Sequence, residues 1–532
     1  MLKERRRLSR AASLLAFMSL GTGAVLSAPA AVAAESAIVE GATVTADSNS
    51  PTGYTVKFVY RNANATQVRL AGDLTLLDLN TGNTRYQPEQ WQTGRYHSGG
   101  TEFLRDMTKD SNGYWSVSLP LHAGGISYWY RVWDPTQGWT NKRIWDPAST
   151  KPRPAGDSFR VRNNDVLDAV YVPYAEKQND PVLKERAEYE LPIANRAKRG
   201  TVTYIPYTTI LGDSGHYLGV YLPAGYNPKR PKPYKVAYLS HGIFGDETDF
   251  MVPANVPNIL DNMTAKGEIE PTVVVTMGNH FTGTSLGFAS YNQTNAANNL
   301  VQTILPLIEQ RYNVATTREG RAYAGFSYGG MMGAHVIRGY PTTFAYYGHF
   351  SGNPALTTQD YDNVAAAIGN DDLFVFLGNG IFEGNLNNQD AIANNFRARG
   401  YDAATTQVPG AHDGMTASQL FTIFARDYLW AGKAEVVVKA KAAPASVVGG
   451  DTFTLNVDVR AQSEQKKAPE ATGEVTVTFG GATQVVALTG GSAVVTLPTT
   501  GLSAGVYPVH VGYSGDRNYA PSAAVHQHLT VR

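Results

Sequence analysis

The chain predicts three folded parts: a mostly parallel sheet covered by helices on both faces, set between two all-β sandwiches. Three observations carry this. From about residue 167 to 434, short apolar runs of strand length alternate with helical patterns, which is how a parallel sheet with crossover helices is written. Before and after that stretch, apolar residues recur at period two between Gly- and Asn-rich turns. Finally, 532 residues exceed what one hydrophobic core organises.

Composition narrows the function. Lys plus Arg and Asp plus Glu both number 45, so no net field favours nucleic acid or an acidic membrane surface. With no cysteine there is no disulfide, no thiolate nucleophile and no Cys-ligated metal. Residues 1–34 are read as an export signal. Lys3, Arg5, Arg6, Arg7 and Arg10 form a basic head, Ala11 to Leu26 an apolar stretch, and small residues up to Ala33 and Ala34 a cleavage site. That stretch is short for a membrane span, and no later segment is long and apolar enough to be one.

Residues 35 to about 50 read as a polar lead-in. The first sandwich spans residues 51–166. Val56, Phe58 and Tyr60 point one way; Val68 and Leu70, then Trp115, Val117 and Leu119, then Tyr128, Tyr130 and Val132 repeat the pattern. In the middle part, 167–434, the strand-like runs are Tyr234–Leu239, Thr272–Met277, Arg321–Ala324, Leu373–Leu377 and Thr405–Val408. Leu300, Ile304, Leu307 and Ile308 line one face of an intervening helix. The last part, 435–532, returns to period two through Phe453, Leu455, Val457 and Val459, then Val475, Val477 and Phe479, then Tyr507, Val509, Val511 and Tyr513. This is the pattern of an immunoglobulin-like sandwich.

The run Gly325-Phe326-Ser327-Tyr328-Gly329 lies between a predicted strand and a predicted helix. G-x-S-x-G in that setting is a nucleophile elbow, a turn so tight that small residues must flank the serine. A serine nucleophile needs a base, and the base needs an acid to fix its tautomer. Downstream, His412 sits in Gly410-Ala411-His412-Asp413-Gly414, a loop after the last strand-like run and before a helix. His335 falls inside the helix after the elbow, His349 within a strand-like run, and His280 upstream of the serine, so they fit worse. Glu383 is the first carboxylate after the Leu373–Leu377 run and is favoured as the acid. Asp390 is the next choice and Asp413 the third. For the oxyanion, the Tyr328 N–H is one donor. A second comes from Ile243 or Phe244 in Ser240-His241-Gly242-Ile243-Phe244-Gly245; two such donors lower the barrier by several kcal/mol.

With Val220-Tyr-Leu-Pro-Ala-Gly-Tyr226, His241-Gly-Ile-Phe-Gly245, Gly325-Phe-Ser-Tyr-Gly-Gly330, Phe350-Ser-Gly352 and Gly410-Ala-His-Asp-Gly414 in order, residues of roughly 190 to 430 resemble the esterase D-like branch of the α/β-hydrolases. They are close to family one carbohydrate esterases such as feruloyl and acetyl xylan esterases. The resemblance implies an α/β-hydrolase fold, Ser327 as nucleophile, His412 as base, and neither metal nor organic cofactor. Two departures stand out: Tyr328 replaces the family's usual Met, and Glu383 its usual Asp.

The stretch from Val68-Arg-Leu-Ala-Gly-Asp73 to Tyr128-Trp-Tyr-Arg-Val132 resembles the isoamylase-type N-terminal domain, related to glycogen-binding modules. Such domains often brace a catalytic domain and line its cleft. Tyr507-Pro-Val-His-Val-Gly-Tyr-Ser-Gly-Asp516 resembles bacterial Ig-like repeats of secreted and surface proteins, with a spacer or attachment role. Six of the seven tryptophans fall in the first sandwich. Trp115 is in phase with the core, whereas Trp139 and Trp145 flank a polar loop and are candidates for glycan contact. The expectation is a secreted serine esterase acting on feruloyl or acetyl esters of a plant polysaccharide such as xylan. The rivals are a mycolyl-type acyltransferase, a siderophore esterase and a non-catalytic wall-associated protein.

Overall fold

Six parallel strands and two antiparallel ones make the central sheet of this computed structural model, which describes residues 38–156, 158, 166–279, 292–369, 371–383, 388–430, 436–461, 470–516 and 519–532. The predicted export signal, residues 1–34, and His280 lie outside the described residues. The strands are β1 (Thr201–Tyr207), β2 (His216–Leu222), β3 (Lys235–Ser240), β4 (Thr272–Met277), β5 (Arg321–Phe326), β6 (Tyr346–Phe350), β7 (Phe374–Gly380) and β8 (Asp402–Val408), in the order β1-β2-β4-β3-β5-β6-β7-β8. β1 and β2 run antiparallel to each other, and β2 antiparallel to β4; from β4 to β8 all pairings are parallel.

Burial on both faces explains the unbroken apolar runs. Val236, Tyr238, Val273 and Val275 pack into one core with the helical faces of Leu300, Ile304, Met332, Val336, Val364 and Phe396. Their neighbours Ala237, Leu239 and Val274 turn to the other side and meet Ile259, Leu260, Leu420, Phe421 and Phe424. The predicted stripe at residues 300–308 forms, as a π-helical turn at Leu300–Ile304 followed by an α-helix at Leu305–Arg311. Leu307 is the member of that stripe that stays partly exposed.

The first sandwich begins earlier than the sequence reading placed it. Gly41–Ala46, read as part of a polar lead-in, is an edge strand paired antiparallel with Tyr54–Arg61. At the other end Asp168–Val172 pairs with Gly124–Asp134 and so belongs to the sandwich sheet. The sandwich core gathers Val56, Phe58, Leu70, Trp115, Leu119 and Tyr130. The last part packs Phe453, Leu455, Val457, Val475, Val477, Val509 and Val511 between a three-stranded and a five-stranded sheet.

The first sandwich is tied tightly to the central domain. Leu76, Trp91, Tyr96 and Ala123 of the sandwich share a core with Leu183 and Met415. The helix Pro181–Glu190 carries a buried ion pair, Arg186 with Glu190 at 2.8 Å, whose side chains are 3% and 1% exposed. Glu190 also accepts from Gly125 N–H of the sandwich (2.8 Å) and from Ser418 Oγ (2.8 Å), while Arg186 donates to the Gly125 carbonyl (3.0 Å).

Candidate active site

Ser327 sits at the junction of β5 and the helix Tyr328–Gly339, with φ 53° and ψ −115°. A non-glycine residue held there stores strain, and it is held because its surroundings leave no room for relaxation. A Cβ on Gly325 would lie 2.3 Å from the Gly329 carbonyl carbon, and one on Gly329 would lie 2.1 Å from the Ser240 carbonyl oxygen. The Tyr323 hydroxyl donates to the Gly329 carbonyl, and Ser327 N–H donates to the Phe350 carbonyl at 2.7 Å. Sheet and helix therefore clamp the turn from both sides.

His412 Nε2 lies 2.7 Å from Ser327 Oγ, and His412 Nδ1 lies 2.9 Å from Glu383 Oε2. The Glu383 carboxylate is 3% exposed. Its other oxygen, Oε1, accepts from Ser351 Oγ at 2.7 Å and from Gly380 N–H at 2.8 Å. An acceptor-only carboxylate so placed requires the proton on Nδ1, which leaves Nε2 free to accept from the serine hydroxyl. The Phe326 ring packs beside the imidazole, centroids 4.8 Å apart.

The other acids and histidines are placed elsewhere. Asp390 is exposed on its helix and accepts from Thr405 Oγ1. Asp413 turns from the imidazole, accepting from Thr416 N–H at 3.0 Å and from Ser98 Oγ of the sandwich at 2.6 Å. His349 is buried with Nδ1 on the Gly330 carbonyl, and burial pushes its pKa down to about 4. His335 meets Thr294 on the surface of its helix.

The loop after β3 runs alongside the serine: a Cβ on Gly242 would be 3.2 Å from Ser327 Cβ. Gly245 N–H donates to the Gly242 carbonyl, which makes Ile243 and Phe244 the central residues of a turn, Phe244 at φ 64°. Asn279, fully buried just after β4, fixes this loop. Its side-chain amide donates to the His241 carbonyl (2.7 Å), its N–H donates to His241 Nε2 (2.9 Å), and Ser240 Oγ donates to its Oδ1 (2.7 Å).

Sequence reasoning did not assign a role to Asn279 or Ser351. Ser351 stood inside the Phe350-Ser-Gly352 match, and its φ of 52° marks it as a second strained serine beside the first.

A cavity of about 370 Å³ opens beside His412. The central domain lines it with Phe326, Phe250, Pro253, Asp249 and the Gly242–Gly245 loop, and the sandwich with Asp73, Gly99, Trp129 and Arg143. Trp139 and Trp145 stand apart from it. Trp139 lies edge-on to Trp133, with the Arg69 guanidinium 4.1 Å from its ring, and Trp145 carries Arg153 at 4.6 Å. Among the described residues no group of three or more histidines and carboxylates is arranged to hold a metal ion.

Residues 214–413 match the family described as "Putative esterase", and residues 440–532 the one described as "Bacterial Ig-like domain (group 3)". The chain is 30% identical over 167 residues to an endo-1,4-beta-xylanase/feruloyl esterase of Xylanibacter ruminicola, covering 30% of this chain and 22% of that protein. It is 32% identical over 165 residues to endo-1,4-beta-xylanase Y of Acetivibrio thermocellus, covering 29% and 14%. The chain thus spans less than a quarter of the length of these curated relatives. Among solved structures, a ferulic acid esterase from Anaeromyces mucronatus matches with a TM-score of 0.39 at 21% identity, covering 45% of this chain and 94% of that one. An enterobactin esterase from Shigella flexneri matches with a TM-score of 0.41 at 13% identity, covering 72% and 95%. The esterase match thus falls on the part of the chain that carries Ser327, Glu383 and His412, and the Ig-like match on the part after it.

Proposed function

We propose that the protein is a serine carboxylic-ester hydrolase. The observation that carries this is the unbroken hydrogen-bond chain from Ser327 Oγ through His412 to Glu383, built on a strained strand-to-helix turn. His412 Nε2 takes the hydroxyl proton as Ser327 Oγ attacks the ester carbon. The Tyr328 N–H and one N–H of Ile243 or Phe244 hold the oxyanion. Collapse expels the alcohol, which takes the proton back from His412, and an acyl-enzyme remains. Water, activated by the same nitrogen, then releases the acid. Glu383 keeps the imidazole in the right tautomer and stabilises it once charged.

The substrate in this reading is a feruloyl or acetyl ester on xylan. The match to a xylanase/feruloyl esterase supports it, as do the exposed apolar side chains of Met331, Ile381 and Phe382 on segments adjoining the serine and the acid. Such an enzyme works outside the cell, in keeping with the export signal read at residues 1–34. Trp139 and Trp145 are its candidate glycan contacts beyond the cleft.

A fluorophosphonate probe tests the nucleophile. Wild type should be labelled and Ser327→Ala should not; equal labelling of both rejects the assignment. Ferulate, p-coumarate and acetate released from arabinoxylan then identify the acyl group.

A further inference from the structure

The cavity beside His412 is lined from both domains, and the sandwich supplies Asp73 and Arg143 to it. Asp73 follows the strand Val68–Gly72 and is anchored by its own N–H to the Ser127 carbonyl at 3.0 Å. Arg143 comes from the polar loop before Trp145 and lays its guanidinium 4.8 Å from the Trp129 ring. Both line the same space as His412.

Direction follows from the chemistry of the reading above, on which this inference rests. The departing alcohol oxygen takes its proton from His412 Nε2, so the rest of the alcohol extends from the imidazole. The exposed apolar residues Met331, Ile381 and Phe382 do not line this cavity; Met331 lies one turn beyond Ser327, and the other two directly precede Glu383. An apolar acyl group fits that side, which leaves the cavity to the alcohol.

We propose that Asp73 and Arg143 form a hydroxyl-recognising subsite for the alcohol half of the ester, and that this alcohol is a neutral polyhydroxylated one, a sugar ring. A carboxyl and a guanidinium lining one cavity match a donor and an acceptor on the hydroxyls of one sugar ring. An anionic alcohol would pair with Arg143 but meet Asp73 and Asp413 together. Burial, followed by the nearby charge of Asp413, pushes the Asp73 carboxyl up to about 7, so further negative charge there is disfavoured. The Trp129 face already carries Arg143, so recognition here runs through hydrogen bonds rather than ring stacking.

The test compares one acyl group on two alcohols: feruloyl arabinose and methyl ferulate. In Asp73→Asn and Arg143→Met the ratio of kcat/KM for the sugar ester to that for the methyl ester should fall about tenfold or more, as expected for losing a hydrogen bond to a charged partner. A ratio within twofold of wild type overturns the subsite. Calorimetric titration of an arabinoxylan trisaccharide into Ser327→Ala reads the same site without turnover. Binding that weakens about tenfold on adding Asp73→Asn supports the subsite. No measurable binding, or equal binding, overturns it. Sugar binding by Ser327→Ala with no fluorophosphonate labelling of wild type sinks the esterase reading and leaves the subsite standing.

Discussion

Replacing Glu383 with Gln is the sharpest test of the catalytic reading, because the structure dictates which way the new amide must face. Oε1 of Glu383 accepts from Gly380 N–H at 2.8 Å, and a backbone N–H can only donate. The oxygen of the introduced amide must therefore take that position, where it also keeps the bond from Ser351 Oγ. Its NH₂ then faces His412 Nδ1, which lies 2.9 Å from the present Oε2. That nitrogen has to become the acceptor, so the proton moves to Nε2, the atom meant to take the serine proton. Size and packing barely change, but the base is in the wrong tautomer. The expected loss in kcat is about 10³- to 10⁴-fold, equivalent to about 4–5.5 kcal/mol in activation free energy. Steady-state hydrolysis of methyl ferulate measures it, with Asp390→Asn as the control, since Asp390 is occupied with Thr405 and should stay within twofold. Retention of more than a tenth of kcat by Glu383→Gln, or an equal loss in Asp390→Asn, refutes the assignment of the acid.

Glu190→Ala strands the buried Arg186 guanidinium and removes the acceptor shared by Gly125 and Ser418, so urea unfolding should show a loss of about 3–5 kcal/mol; a loss under about 1 kcal/mol speaks against a buried tie. Gly329→Ala would put a methyl 2.1 Å from a backbone oxygen that has no rotamer to yield, and neither fluorophosphonate labelling nor ester turnover should survive; labelling at the wild-type rate contradicts the clamp. The His97 and His122 rings lie tilted against each other, centroids 4.1 Å apart, and burial pushes the first down to about 3 and the second well below its ordinary value. Both bind protons more readily unfolded than folded, so each withdraws stability as pH falls below about 6.5, at up to about 1.4 kcal/mol per pH unit. His97→Asn keeps a donor for the Leu74 carbonyl and should flatten the decline of Tm between about pH 6.5 and 4; an unchanged slope counts against this.

What the sequence revealed and what it hid follow from how far each feature depends on distant residues. β3, β4 and β5 were legible because a strand buried on both faces is apolar along most of its length and needs no partner to be recognised. The elbow was legible because its glycines answer to atoms a few residues away, and His412 because its loop follows β8 directly. β1 was not: Thr201–Tyr207 is an edge strand with Pro206 inside it, half exposed and only weakly patterned. Gly41–Ala46 failed for the same reason, since four of its six residues are Ala or Thr and its outer positions face solvent. Ser98 carries no local signal, and nothing local tells that Asp73 and Arg143 share a cavity with His412. That placement arises because the sandwich is folded against residues far along the chain, as the Ser98–Asp413 bond shows.

Asp413 shows why chain adjacency misleads at such a site. Beside His412 in sequence, it was a third choice for the acid that orients the imidazole. Its backbone is extended, φ −152° and ψ 177°, so its side chain leaves the chain on the opposite side from its neighbour's. One residue turns toward the serine and the other toward the sandwich, where Asp413 takes bonds from Ser98 Oγ and Gly99 N–H and caps the helix Gly414–Asp427 with its remaining oxygen. The geometry that disqualifies Asp413 as the third catalytic group therefore gives it another task. It pins the loop carrying His412 to the sandwich at one end and to the helix at the other, so the position of His412 depends on both domains. Burial raises its pKa, and the bonds from Ser98, Thr416 and Gly99 oppose that rise. A sandwich displaced from this contact would leave a buried carboxylate short of donors one residue from His412, so in the proposed reading the first sandwich helps to place the base.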